Sequence, residues 1–160
     1  LIIENIRFYG TDCGFRIKSA YPRKGYIQNI TVQNLQMQDV RFPIHIQLNW
    51  NTNYNVCTIG YNYHGEIPKH WKTLMAPVSD AIPPTVLKNL CIQNISAELK
   101  DGYEKGSQAF VIDGYAEKPI KNIEMKNLNI ICNEYGVIRN IEKLSMNDVN
   151  IKVTGGSGFM

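Results

Sequence analysis

The chain has 160 residues, of which 44% are hydrophobic, 19% charged and 10% aromatic, and its formal net charge is +3. This is the make-up of a folded domain with a sizeable core, and it excludes a disordered tail. The positive balance is too mild to imply a nucleic-acid partner, and no stretch is long and apolar enough to span a membrane.

The chain reads as strand from its first residues, Leu1-Ile-Ile-Glu-Asn-Ile6. A first repeat covers 3–18, with Ile6 and Phe8 apolar, a turn at Gly10-Thr11, then Phe15 and Ile17. A second runs over 26–48, and there the alternation changes phase. Ile30 and Val32 are apolar at even positions, Asn34 intervenes, and Leu35 and Met37 continue at odd ones. In a flat strand that change would turn half the apolar side chains into water. A one-residue corner repairs it, because Asn tolerates the left-handed conformation a sharp bend needs. The repeat over 86–113 does the same around Asn94, and that over 120–140 around Asn127. A last unit spans 141–153.

Asn5, Asn29, Asn89, Asn122 and Lys143 are read as equivalent positions, 24, 60, 33 and 21 residues apart. The short intervals fit one solenoid coil, and the long one fits a coil plus an insertion. The spacing predicts an all-β single-stranded parallel β-helix of about four to five coils, forming one domain over 1–160 with a long insertion loop over 49–85. A leucine-rich repeat has a similar period, but its L-x-x-L-x-L-x-x-N pattern and helical back half are missing. The insertion, rich in Asn, Tyr, Pro and Trp, either carries function or covers the core. A repeat already running at Leu1, with no initiator Met, marks the expected later part of a longer protein.

Cys13, Cys57, Cys91 and Cys132 lie far apart and form no C-x-x-C pair, so neither a metal site nor a disulfide framework is indicated. Cys57 falls in the insertion; the other three are expected to pack within strands.

Aligning the strands by their inward residues gives the pairs Phe15 and Ile17, Ile44 and Ile46, Phe110 and Ile112, Gly136 and Ile138. Two outward columns follow: Arg16, His45, Val111 and Val137, then Lys18, Gln47, Asp113 and Arg139. Arg16 and Lys18 would project from one face, suited to grip a carboxylate, or they are an ordinary solvated strand surface. His45 reads as an exposed imidazole.

Three runs carry a resemblance: Gly14-Phe-Arg-Ile-Lys-Ser19, Gly25-Tyr-Ile-Gln-Asn-Ile-Thr-Val-Gln-Asn-Leu35 and Pro43-Ile-His-Ile-Gln47. In this order they resemble the polygalacturonases of glycoside hydrolase family 28, and Gly114-Tyr-Ala-Glu-Lys-Pro-Ile-Lys-Asn-Ile123 is similar to a stretch of bacterial members. The resemblance implies a right-handed parallel β-helix, secretion or a periplasmic location, and hydrolysis of galacturonan-type polysaccharide with inversion. It implies Arg16 and Lys18 as ligands of the sugar carboxylate, with His45 and Gln47 beside them. Trp50 stands where the family has a substrate-contacting Tyr. The implied partner is an acidic plant polysaccharide, of galacturonan or rhamnogalacturonan type, bound by a monomer without a cofactor or metal.

The family's N-T-D, D-D and G-H-G catalytic elements precede its R-I-K motif. None occurs in the fifteen residues before Arg16, so no catalytic residue is expected in this chain. Inversion requires two carboxylates roughly 6.5–9.5 Å apart, and Asp113 is the one acid expected on the outward columns. Glu66 and Asp80 lie in the insertion. The alternative expectation is a non-catalytic β-helix that binds acidic polysaccharide or acts as a scaffold.

Overall fold

The computed structural model describes residues 1–50, 58–79 and 81–155. Cys57, Asp80 and the tail beyond Gly155 lie outside the described residues. The chain forms β1 (Ile2–Tyr9), β2 (Cys13–Lys18), β3 (Tyr26–Gln38), β4 (Phe42–Gln47), α1 (Lys69–Met75), β5 (Val86–Glu98), β6 (Gln108–Asp113), β7 (Lys121–Cys132), β8 (Glu134–Arg139) and β9 (Leu144–Val153). One sheet has the order β1-β3-β5-β7-β9 and the other β2-β4-β6-β8. All these pairings are parallel. Strands that are neighbours in a sheet are separated in sequence by a strand of the other sheet, so the chain winds as a parallel β-helix.

The phase change is a bend in the long strands. Asn34, Asn94 and Asn127 have φ of 56°, 55° and 51°, the left-handed region that a β-branched residue resists. On either side of these corners the apolar residues turn inward. Ile30, Val32, Leu35 and Met37 are buried, as are Leu90, Ile92, Ile95 and Ala97, and Ile123, Met125, Leu128 and Ile130.

β3, β5 and β7 each carry two such corners, and β1 and β9 one each, at Asn5 and Asp148. Asn29, Asn89 and Asn122 also have positive φ, and this corrects the repeat alignment. Asn5 stands in the Asn34 column, since Glu4 pairs with Gln33 and Ile6 with Leu35, and not in the Asn29 column. Leu1 is already opposite the corner residues, taking the Thr31 N–H on its carbonyl. Both Asn positions precede a similar apolar run, so the sequence alone does not separate them.

The corners stack into ladders. Asn34 donates to Asn5, Asn94 to Asn34 and Asn127 to Asn94, at 3.0, 3.1 and 2.9 Å. A second ladder joins Asn29, Asn89 and Asn122. Each side-chain amide is both donor and acceptor, so a column of identical residues satisfies itself from coil to coil.

The insertion departs from an all-β reading because it contains α1, which follows Pro68 and buries none of its residues. Seven residues are too short a run to show helical periodicity. The Trp71 ring packs 5.0 Å from that of Tyr63.

Candidate functional site: a cation face on the short sheet

The short strands hold a few inward residues and leave the rest facing out. Phe15, Ile17, Ile44, Ile46, Phe110 and Ile112 are buried, which fixes the residues between them on the outer face. The register places Arg16 against His45, His45 against Val111 and Val111 against Val137. Lys18, Gln47, Asp113 and Arg139 follow as the second column. Both outward columns match the alignment by inward residues.

Trp50 closes over the first of these pairs. Its ring centroid lies 4.2 Å from Lys18 Nζ and 5.5 Å from Arg16 Cζ, so one aromatic ring meets both cations. The five residues picked out from the sequence, Arg16, Lys18, His45, Gln47 and Trp50, therefore meet on one surface. The Arg16 Nε is buried without a hydrogen-bond partner.

His45 is not the exposed imidazole expected. It is 7% exposed, lying between Cys13 and Gln47 and with its ring 5.4 Å from that of Phe42. Its Nδ1 is 3.5 Å from Cys13 Sγ and its Nε2 is 3.3 Å from Gln47 Oε1. Gln47 Oε1 accepts from a proton on Nε2, which leaves Nδ1 as the acceptor facing the Cys13 thiol, whose Sγ also lies 3.5 Å from its acceptor Asp12 Oδ2. Burial pushes the imidazole below its ordinary pKa, the Gln47 hydrogen bond opposes this, and the nearby Arg16 charge adds to it. His45 is thus held neutral.

Cys13 was expected as a packing residue and instead belongs to this outer face. Gly14 causes the change. A Cβ there would meet the Met37 side chain and the Pro43 carbonyl at 2.6 and 2.7 Å, so Gly14 lies against the core and Cys13 turns outward. Burial raises the Cys13 thiol pKa, with Arg16 opposing, which keeps it a thiol and not a nucleophilic thiolate. Cys91 is likewise half-buried, and only Cys132 of the described cysteines is buried in the core.

Two carboxylates border the face, Asp113 and Asp12, where one was expected. Asp113 accepts from Arg139 at 2.7 Å and from Asn140 at 2.9 Å. The Arg139 hydrogen bond is the main cause holding its pKa below the ordinary carboxylate value, against a smaller upward push from burial. Asp12 lies 3.8 Å from Arg41 and accepts from Cys13 Sγ at 3.5 Å. A general acid needs a carboxyl that keeps its proton near neutral pH, and Asp113 is tuned in the opposite direction. A depression of about 800 Å³ lies elsewhere, along the long sheet beyond the Asn34 corners between Tyr9 and Lys152. It contains none of the cation-face residues.

Fold and face together define a parallel β-helix that presents an aromatic-capped pair of cations on one strand. Residues 1–62, which contain β1 to β4 and Trp50, match the family model described as glycosyl hydrolases family 28. No curated protein and no solved structure matches the chain. The run from Gly114 to Ile123 lies outside the matched residues. Among the described residues no helix is long and apolar enough to cross a membrane.

Proposed function

We propose that this chain supplies the carboxylate-binding part of the substrate cleft of a polygalacturonase-like, pectin-degrading glycoside hydrolase. The observation that carries this reading is the Arg16–Lys18 pair beneath Trp50, within the residues that match the family. A galacturonate ring offers one carboxylate and an apolar ring face. Arg16 and Lys18 supply charge for the first, and the Trp50 ring supplies a stacking surface for the second. Gln47 adds an amide between Lys18 and Asp113, its carbonyl held by His45.

Catalysis with inversion needs a protonated carboxyl as acid and a carboxylate as base, and Asp113, kept ionised by Arg139, is unsuited to be the acid. The chain by itself binds galacturonan-type polysaccharide without cleaving it, and the acid–base pair comes from elsewhere in the enzyme. This agrees with secretion or periplasmic location, the setting in which such polysaccharide is met.

The test is calorimetric titration of trigalacturonate into the purified chain and into Arg16→Ala and Lys18→Ala. Wild type should bind, and each variant should lose about tenfold or more, the range for one charge-assisted hydrogen bond. Equal and negligible binding by all three would leave a scaffold and reject the reading. Hydrolysis of polygalacturonate by the chain, with inversion seen by NMR, would reject the division of labour.

A further inference from the structure

A second group of cations stands on the long sheet, apart from the cation face. Leu87 and Ile120 are buried in the core, so the residues that follow them, Lys88 and Lys121, face outward. The register sets these two lysines opposite each other on β5 and β7, adjacent strands about 4.8 Å apart. Like charges so placed oppose strand pairing. Lys121 is relieved on its far side by Glu142, at 3.4 Å. Lys88 has the neutral Gln28 on its other side. Among the described residues no carboxylate forms an ion pair with Lys88 or with Lys118.

Lys118 brings a third amine to the same place. It lies in a turn closed by its own N–H, which donates to the Tyr115 carbonyl at 3.2 Å. Tyr115 is anchored in turn, its buried hydroxyl donating to the Leu48 carbonyl at 2.6 Å. The three lysines line one depression of about 220 Å³, whose other walls include Tyr26, Pro83 and Pro119. Tyr26 opens β3 and is 65% exposed. None of Arg16, Lys18 and Trp50 lines this depression.

Three amines with no carboxylate among the lining residues attract an anion, and the walls say which kind. A simple inorganic ion has no use for an aromatic ring and two prolines, whereas a sugar acid offers both a carboxylate and an apolar ring face. The depression is smaller than the roughly 300–1,000 Å³ that takes a drug-sized molecule. It suits one charged residue of a chain that continues over the surface.

We propose that Lys88, Lys118 and Lys121 form a second site for a uronate residue, with Tyr26 against the sugar ring, so that the protein grips an acidic polysaccharide at a point separate from the cation face. An anion held there also removes the repulsion between Lys88 and Lys121. The choice of a uronate chain rests on the reading proposed above; the anion site rests on the lysines and shares no residue with Arg16 and Lys18.

The experiment is reductive methylation of the purified full chain, followed lysine by lysine by mass spectrometry, with and without decagalacturonate. Labelling of Lys88 and Lys118 should slow several-fold, while that of Lys152, beyond the Asn34 corners, should not change. Unchanged labelling at Lys88 and Lys118 would overturn the site, and so would equal slowing at Lys152, which would mean general screening by a polyanion. Equal protection by inorganic sulfate at the same charge concentration would reject the sugar and leave a simple anion only.

Calorimetric titration of decagalacturonate separates the two sites. Lys88→Gln, Lys118→Gln and Tyr26→Ala should each weaken binding by about threefold, the scale of an exposed ionic contact. Lys152→Gln, with the same change of charge, should bind like the parent. The losses should persist in an Arg16→Ala background, because the sites have no residue in common. Weakening by Arg16→Ala alone would reject the second site and leave the cation-face reading standing; weakening by the lysine variants alone would do the reverse. No binding by the parent protein would reject both.

Discussion

The Arg139 guanidinium reaches the Asp113 carboxylate at 2.7 Å, in the column that begins with Lys18 and Gln47. The surface that is cationic at β2 ends in a closed ion pair at β6 and β8. Arg139 is therefore already engaged, whereas among the described residues no carboxylate forms an ion pair with Arg16 or Lys18.

That pair sets an acid limit on stability. The folded pKa of Asp113 is depressed, so the contribution is present above the ordinary carboxylate range, about 4, and is lost as the pH falls through the lower folded value. Asp113→Asn should lower the thermal midpoint at pH 7. The gap to wild type should close only as both are taken well below pH 4, which circular dichroism melts across pH will show.

His45 gives a dependence of the same sign in a higher pH range. Its folded pKa lies below the unfolded value, so the unfolded chain takes up a proton first. Stability is complete above about pH 6.5 and falls as the pH drops below it. His64 and His70 are exposed in the insertion, so the fall should be reduced in His45→Gln. Urea midpoints at pH 7.5 and 5 for both proteins test this.

The corners distinguish backbone from side-chain effects. Asn94 has φ of 55° and bonds to Asn34 on one side and Asn127 on the other. Asn94→Gly loses only the ladder, whereas Asn94→Ala also carries a left-handed backbone disfavoured by about 1–2 kcal/mol. Alanine should be the more destabilising substitution in chemical denaturation, by about that amount.

Gly136 should tolerate less. Its φ is +89°, and a Cβ there would run into the Phe110 backbone carbonyl of the adjacent strand. Gly136→Ala combines a strained backbone with overpacking, and a loss of roughly 2–4 kcal/mol is expected from denaturant titration.

Much of the architecture was legible because two periodicities coincide in this chain. Alternation assigned Ile44 and Ile46 inward and His45 and Gln47 outward, and the register agrees at each position. The alternation could not tell Asn29 from Asn34, since both precede similar apolar runs, so the first interval was placed on the wrong ladder. It also could not show how deeply an outward residue is covered. His45 was read as exposed because Cys13 and Phe42 reach it from another part of the coil, and Gly14 is what turns Cys13 outward.

The strand that carries Arg16 and Lys18 is the outermost of its sheet: among the described residues β2 is paired with β4 alone. Its other side presents backbone donors and acceptors at the spacing of a parallel partner. A strand seated there would bring its outward side chains to about 4.8 Å from the two cations. The sheet edge thus works as a ruler, fixing the register at which a neighbouring strand would set its outward side chains beside Arg16 and Lys18.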